Sequence, residues 1–219
     1  MARLIHSGSA NLLRRKLFPM GFAGEVMLLI LETWHDFSLH HDVLHEPRIT
    51  AVFRLALIEA YRNAGRSWFI TLEDPITEPD FGTELGRNDL RFYPPNHHGQ
   101  TVFFTVECKR LHVKTASGFK HLADKYVDDG IVRFVKGQYS AGLPCGGMVG
   151  YVMDNEASKA LISIRSEIES KRVALKMARK QKFCNPSTKL PAYEWSADTL
   201  HDREDGVFAL HHVLLGVRM

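Results

Sequence analysis

The chain has 219 residues, of which 45% are hydrophobic and 24% are charged, with a net charge of +3. This composition excludes a largely disordered or fibrous protein, and the small net charge permits an anionic partner without requiring one. A chain of this length buries roughly 70% of its unfolded surface, so one domain over residues 1–219 can hold a core without disulfide or zinc staples.

The three cysteines, Cys108, Cys145 and Cys184, form no Cys-x-x-Cys pair. An odd number without that spacing argues against a secreted disulfide scaffold and a cysteine-based structural zinc site, and favours a reducing cytoplasm. The most apolar stretch, residues 26–31, is far shorter than the roughly 20 residues that a membrane helix needs. The first residues show no apolar run ending at a small-residue cleavage site, so we expect a cytoplasmic protein without a membrane segment.

Two helices are predicted before the first strand. Residues 20–45 carry apolar side chains at helical spacing, including Met27, Leu28 and Trp34, and end in a histidine-rich stretch. A second helix is predicted over residues 47–63, because proline suits its first turn and a glycine follows its end.

Strands are predicted next. Residues 67–72 indicate a short strand ended by Asp74 and Pro75, and a turn-rich link follows. A strand restarts over residues 87–93, and a loop over 96–100 leads into the best strand of the sequence, 101–111. We expect these last two strands to pair antiparallel as a hairpin.

The second half of the chain alternates helices and strands. The patterns predict a helix over 124–140 that two glycines interrupt, a buried strand over 148–153, a long helix over 155–182 and a strand or hairpin over 206–217. Residues 186–191 are interpreted as a flexible connection. This order of elements implies an α/β layer fold.

Alternation along residues 102–109 separates two kinds of side chain. Val102 and Cys108 belong to an apolar set that fits a core, whereas Glu107 and Lys109 point to the opposite face. Glu107 and Lys109 are two residues apart, about 7 Å between Cα atoms, and can converge on one reacting group. In the predicted hairpin, Asp89 reaches the same end of the sheet. Carboxylates are the hard oxygen ligands that Mg²⁺ prefers, so the grouping suits phosphodiester hydrolysis.

Asp89, a gap of 17 residues and then Glu-Cys-Lys at residues 107–109 resemble the motif of the PD-(D/E)XK nuclease superfamily, which has the restriction-endonuclease-like fold. The stretch Arg-Asn-Asp-Leu at residues 87–90 is similar to a form of its first acidic motif that lacks the proline. The resemblance covers roughly residues 46–153 and leaves helical extensions on both sides.

The resemblance implies a mixed sheet flanked by helices and an endonuclease that uses Mg²⁺, with Mn²⁺ as the alternative. It implies Asp89 and Glu107 as metal ligands and Lys109 as the catalytic lysine. Relatives usually cut DNA, so DNA is the expected substrate, in phage defence or DNA processing. A homodimer or a targeting or activating subunit is the partner expected beside the nucleic acid.

Many members of this family add a glutamate from the preceding helix. The candidates on the helix are Glu46 and Glu59, Glu73 at the end of its strand is a third, and we name Glu46 as the third metal ligand. The structural alternatives are a carboxylate favoured by the helix dipole for Glu46 and a solvent-exposed charge for Glu59.

Basic residues outside the motif are candidates for contacts with phosphate. A positive face would match a nucleic-acid backbone, although cations near a helix end are also favoured by the dipole. Some relatives use a glutamine and a tyrosine downstream, for which Gln138 and Tyr139 are candidates. The basic candidates are Arg87, Arg133, Lys136, Lys171, Arg172, Lys176 and Arg179.

Two other functions remain open at this point. One is a binding module that holds nucleic acid or a protein on the same fold without cutting it. The other is a zinc hydrolase built on His40, His41, His45, His211 and His212, which lack a recognised zinc-ligand motif. The glycine-rich stretch 142–150 lacks the ending of a phosphate loop and is interpreted as a turn into a buried strand.

Overall fold

The protein is represented by a computed structural model that describes residues 7–39, 45–77, 84–95, 101–116, 118–178 and 180–218. For residues 7–10, 73–77, 84–86 and 88 the description covers the backbone only. The helices in these ranges are α1 Ser7–Leu17, α2 Phe22–Asp36, α3 Glu46–Asn63, α4 Ala123–Tyr126, α5 Val132–Val135 and α6 Ala157–Ser170, with a π-helical turn, Val127–Ile131, between α4 and α5.

The strands of the described ranges are β1 Phe69–Thr77, β2 Glu84–Tyr93, β3 Phe104–Leu111, β4 Val113–Thr115, β5 Gly118–Lys120, β6 Cys145–Val152, β7 Ser196–Arg203 and β8 Gly206–Gly216. Six of them form one sheet in the order β1-β2-β3-β6-β8-β7, and β4 and β5 form a separate hairpin. The pairs β3–β6 and β6–β8 are parallel and the other pairs are antiparallel. The predicted mixed α/β sheet flanked by helices is therefore confirmed.

Each face of the sheet carries its own hydrophobic core. One core joins α2 and α3 to the sheet through side chains such as Ile30 and Phe53. The other joins the segment α4 to α5 and α6 through side chains such as Phe134 and Ile164. Val106 and Cys108 of β3 lie in the first core, as the alternation predicted. Glu107 therefore faces the second layer of helices.

Several predicted boundaries were wrong. Helix α2 ends at Asp36, and Leu28, expected on its buried face, is 41% exposed. Strand β1 continues through Pro75 to Thr77, and β1 is an edge strand of the sheet, the position where proline is tolerated. The histidine-rich stretch 40–44 and the loop 96–100 lie outside the described residues.

The C-terminal part differs most from the prediction. Helix α6 ends at Ser170, because the chain then turns back to bury Leu175 and Met177. Strand β7 was not predicted, and with β8 it continues the sheet in place of a helical extension. The stretch 186–191, expected to be flexible, contains Ser187, which is 1% exposed and hydrogen-bonded to Asp198.

The first core should depend strongly on Phe53, which is fully buried and touches the rings of Trp34, Phe37 and Tyr151. We expect Phe53→Ala to lower the free energy of unfolding by about 3–5 kcal/mol, measured by urea denaturation. The control Leu55→Ala removes a side chain that is 62% exposed on the same helix. It should cost under about 0.5 kcal/mol, and an equal cost for both variants would contradict this description of the core.

Candidate active site

The candidate site lies where strands β2 and β3 part. Their backbone pairing runs only from Phe92↔Phe104 to Leu90↔Val106. Beyond this point, side-chain carboxylates take over as acceptors for the amides of β3. Asp89 Oδ2 accepts a hydrogen bond of 2.6 Å from the Cys108 amide. Glu46 Oε2, from the first residue of α3, accepts one of 2.7 Å from the Arg110 amide. The carboxylates thus satisfy amides that a longer ladder would have paired.

Lys109 connects these carboxylates. Its Nζ donates to Glu107 Oε1 at 2.8 Å, to Glu46 Oε1 at 3.1 Å and to the Cys108 carbonyl at 3.0 Å. The side chain of Lys109 is 13% exposed and that of Glu107 is 2% exposed. The residues predicted from the motif, together with Glu46, are therefore brought into one cluster from α3, β2 and β3.

The carboxyl group of Glu107 lacks one partner. Its Oε2 is buried and has no hydrogen-bond donor among the described residues. Burial, followed by the nearby negative charge of Asp89, raises the pKa of Glu107 to about 8, although Lys109 and Arg133 oppose the shift. Burial also raises the pKa of Asp89, although Lys109 opposes it. Burial alone would lower the pKa of Lys109, but its carboxylate neighbours outweigh that effect and raise it.

A divalent cation fits the chemistry of this cluster. Ionised carboxylates only accept hydrogen bonds, so the unpartnered Glu107 Oε2 beside Asp89 calls for a proton or a metal ion. Carboxylate oxygens are also the donors that Mg²⁺ prefers. Among the described residues, however, no three His, Cys, Asp or Glu side chains already stand as a metal-binding group. Lys109 Nζ occupies an oxygen of both Glu46 and Glu107, so cation binding would have to displace part of this ion pairing.

Arg133 and Tyr139 form a second layer beside Glu107. Arg133 Nη1 lies 3.6 Å from Glu107 Oε1 and donates to the Tyr139 hydroxyl at 2.5 Å. That hydroxyl in turn donates to the Arg87 carbonyl at 2.8 Å. The Arg133 side chain is 37% exposed, so its guanidinium can reach solvent as well as the cluster.

The π-helical turn, which was not predicted, packs against the stem of the Glu107 side chain. At Gly130 an added Cβ would lie 2.5 Å from the Met148 methyl group and 3.9 Å from the Glu107 Cγ. The helix therefore approaches β3 and β6 as closely as a residue without a side chain allows. The glycine was visible in the sequence as an interruption, but nothing in the pattern indicated that it packs against Glu107.

The other acidic candidates lie elsewhere or are not described. Glu59 is exposed and lies thirteen residues along α3 from Glu46, about 20 Å at 1.5 Å per residue. The side chain of Glu73 lies outside the described part. Of the three glutamate candidates, the structure thus brings Glu46 to the cluster.

The basic candidates lie in several parts of the structure. Arg87 and Lys136 are exposed, and Lys136 and Lys176 line a separate cleft of about 460 Å³. Lys171 pairs with Asp128 and Glu167 at 2.7 Å each.

Arg172 is held at the end of α6. It pairs with Glu169 at 3.0 Å and donates to the carbonyls of Ala178 and Gln181. Arg179 lies outside the described residues. Of the seven basic candidates, Arg133 is therefore the one with a recorded contact to Glu107.

Of the described zinc candidates, His211 and His212 have side-chain hydrogen-bond partners. His211 Nδ1 pairs with Asp198, and His212 lies between Tyr126 and Thr199. His45 is the N-cap residue of α3, whereas His40 and His41 lie outside the described residues.

The glycine-rich stretch 142–150 is mainly strand. Gly142 has a positive φ of 71° and forms the turn, and β6 begins at Cys145. The interpretation as a turn into a buried strand is therefore confirmed, with the strand beginning earlier than predicted.

We compared the chain with protein-family models, curated proteins and solved structures, and none of the three comparisons found a match. In the described ranges, no single helix is both long and apolar enough to cross a membrane.

The proton on Glu107 gives a pH-dependent stability that can be measured. In the unfolded chain Glu107 has its ordinary pKa of 4.5, and in the folded chain its pKa is about 8. Between these values the folded state binds the extra proton, so stability falls as pH rises, by up to about 1.4 kcal/mol per pH unit for one whole proton.

We expect urea denaturation between pH 5 and pH 9 to show this decline in the wild type, and Glu107→Gln to remove that part of it. Other groups titrate over the same range, so the difference between the two proteins is the informative quantity. Parallel stability curves for the two proteins would contradict the raised pKa.

Proposed function

We propose that the protein is a metal-dependent nuclease that hydrolyses phosphodiester bonds, with DNA as the substrate and Mg²⁺ or Mn²⁺ as the cofactor. The proposal includes a restriction-endonuclease-like arrangement of the sheet. The observation that carries it is the convergence of Glu107 and Lys109 with Asp89 and Glu46 at the parting of β2 and β3.

In this proposal Asp89 and Glu107 hold the metal ion, and Glu46 contributes from the start of α3. When bound, the ion would polarise the phosphoryl oxygen and lower the pKa of a water molecule. Lys109 remains close to the reacting group because its Nζ is held between Glu46 and Glu107. An ammonium group so placed can orient a water molecule or stabilise negative charge that develops on the phosphate.

Arg133 supports a phosphate substrate. Its guanidinium is partly exposed, lies 3.6 Å from Glu107 and is oriented by the Tyr139 hydroxyl. Such a group can donate to a phosphate oxygen while its other side stays hydrogen-bonded. Arg87 and Lys136, both exposed, are the further candidates for backbone contacts.

The nuclease activity is tested with plasmid, linear duplex, single-stranded DNA and RNA, each with Mg²⁺, Mn²⁺ or EDTA. We expect metal-dependent cleavage of DNA by the wild type. Glu107→Gln and Lys109→Met should each reduce the cleavage rate by at least about 100-fold, since the first removes a carboxylate ligand of the ion and the second removes the ammonium group.

The pair Glu156→Gln and Lys159→Met is the matched control. These residues form an exposed ion pair of 3.4 Å at the start of α6, with the same residue types. Both controls should cleave at the wild-type rate. Full activity of folded Glu107→Gln or Lys109→Met protein would show that the cluster is not the active site.

A binding module without catalysis is the second candidate, and one observation favours it. Lys109 already pairs with one oxygen each of Glu46 and Glu107, and the described residues contain no ready-made metal-binding group. In such a module the ion pairing would be structural, and nucleic acid or a protein would bind without being cut.

Calorimetric titration with Mg²⁺ and Mn²⁺ separates the two candidates. A nuclease should bind the ion with millimolar or tighter affinity, and Asp89→Asn should weaken binding by about tenfold or more, because it removes one charged ligand. The exposed Asp154→Asn is the control. Absence of ion binding, together with retained binding of nucleic acid, would favour the module.

A further inference from the structure

A second cleft lies away from the carboxylate cluster and has a volume of about 550 Å³. Its floor is formed by β6, β8 and β7, with Cys145, Ala209 and Leu200 among the lining residues. Its roof is formed by the turn between α1 and α2, which includes Phe18 and Met20. Most of these side chains are apolar, so the cleft can exclude water from the body of a small molecule.

The floor of the cleft also carries a built polar network. Asp198 and His211 are opposite each other on β7 and β8, and His211 Nδ1 lies 2.7 Å from Asp198 Oδ1. Ser187 Oγ donates to the same oxygen at 2.5 Å. Asp198 Oδ2 accepts hydrogen bonds of 2.7 Å from both the amide and the hydroxyl of Thr188. Burial alone would raise the pKa of Asp198, but these hydrogen bonds outweigh burial and lower the pKa, so Asp198 stays ionised.

This network orients the His211 ring. An ionised carboxylate only accepts hydrogen bonds, so Nδ1 must carry the proton that it shares with Asp198. The His211 side chain is 4% exposed and lines the cleft, yet the recorded hydrogen bonds give its Nε2 no partner among the described residues. An imidazole held in this way by a carboxylate presents Nε2 to a ligand and can take up a proton there.

Two ammonium groups lie at the rim. Lys182 and Lys189 both line the cleft and are exposed, and neither forms a recorded ion pair among the described residues. Burial raises the pKa of Cys145 on the floor to about 12, although the nearby charge of Lys189 opposes the shift. The charge of the rim is therefore positive, whereas the one carboxylate of the floor, Asp198, is already satisfied by its hydrogen bonds.

We propose that this cleft binds a small apolar molecule that carries one anionic head group. The apolar body lies on the floor between β6, β8 and the turn before α2, and the head group meets His211 Nε2 and the ammonium groups of Lys182 and Lys189. The site shares no lining residue with the carboxylate cluster, so the proposal is independent of the nuclease function.

The test uses octanoate as the probe, with acetate and octyltrimethylammonium as comparisons. Binding is followed by ¹H–¹⁵N correlation spectra of the histidine side chains, and affinities are measured by calorimetry. We expect octanoate to shift His211 Nε2 and to bind at least about tenfold more tightly than either comparison molecule, which lacks the tail or the negative charge. His201 and His212, buried on the opposite face of the sheet, should not shift and serve as internal controls.

Three variants make the outcome specific. The double variant Lys182→Met and Lys189→Met keeps the stems and removes the charges, so it should weaken octanoate binding by about tenfold. Lys180→Met, also exposed but outside the cleft, should bind as the wild type does. Ala209→Leu fills the floor and should abolish the shift of His211 while leaving the signals of His201 and His212 in place.

The proposal is overturned if octanoate at about 10 mM, on the order of the dissociation constant of a weak ligand, leaves the nitrogen signal of His211 unchanged. It is also overturned if octyltrimethylammonium binds equally well, or if folded double-lysine and Ala209→Leu variants retain wild-type affinity. Because the readouts are a histidine signal and binding heat, they are unaffected by whether the protein cleaves DNA.

Discussion

The candidate site depends on the ion pairing of Lys109. Its ammonium group holds carboxylates from two separate elements, Glu46 at the start of α3 and Glu107 within β3. Buried carboxylates without a partner are costly, and removing one member of a buried pair typically costs about 3–5 kcal/mol. Lys109 therefore ties the helix to the sheet as well as contributing charge to the site. This dual role means that activity and stability have to be measured separately in any variant of Lys109.

The parting of β2 and β3 is the second constraint. Where the pairing of β2 with β3 ends, the amides of Cys108 and Arg110 need other hydrogen-bond acceptors. The carboxylates of Asp89 and Glu46 provide them. The strands can separate here because side chains replace the backbone ladder. Lys109 and Glu46 remain partly exposed to solvent here, while the parallel pairing of β3 with β6 continues on the other side.

The sequence predicted the parts of this site that depend on local periodicity. Glu107 and Lys109 were recognisable because alternation with a period of two separates β3 into an apolar and a polar face, and Asp89 followed from the predicted hairpin. Glu46 remained one of three candidates, since the choice depends on where the start of α3 meets β3, which is a tertiary relation. The antiparallel pairing of β2 with β3 was predicted, but its early end was not.

Elements without a strong local pattern were missed. Strand β7 alternates polar and charged residues that resemble a loop, and its place in the sheet depends on pairing with β8. The end of α6 was placed too late, because the basic residues after Ser170 continue a helix-forming composition. What ends the helix is the burial of Leu175 and Met177, a packing effect that composition does not indicate.

Two buried carboxyl groups, Asp198 and Glu107, lie on opposite faces of the sheet. Their different hydrogen bonding explains why the chemistry is expected at Glu107. Asp198 receives hydrogen bonds from Ser187, Thr188 and His211, so its charge is satisfied and its pKa is lowered. Glu107 has an oxygen without a donor, and its pKa is raised to about 8. Both oxygens of the ionised Asp198 already accept hydrogen bonds, and the carboxylate serves to orient His211. The second oxygen of Glu107 gains a partner only when it binds a proton or a cation. A carboxyl group that requires an added positive charge is suited to hold a metal ion.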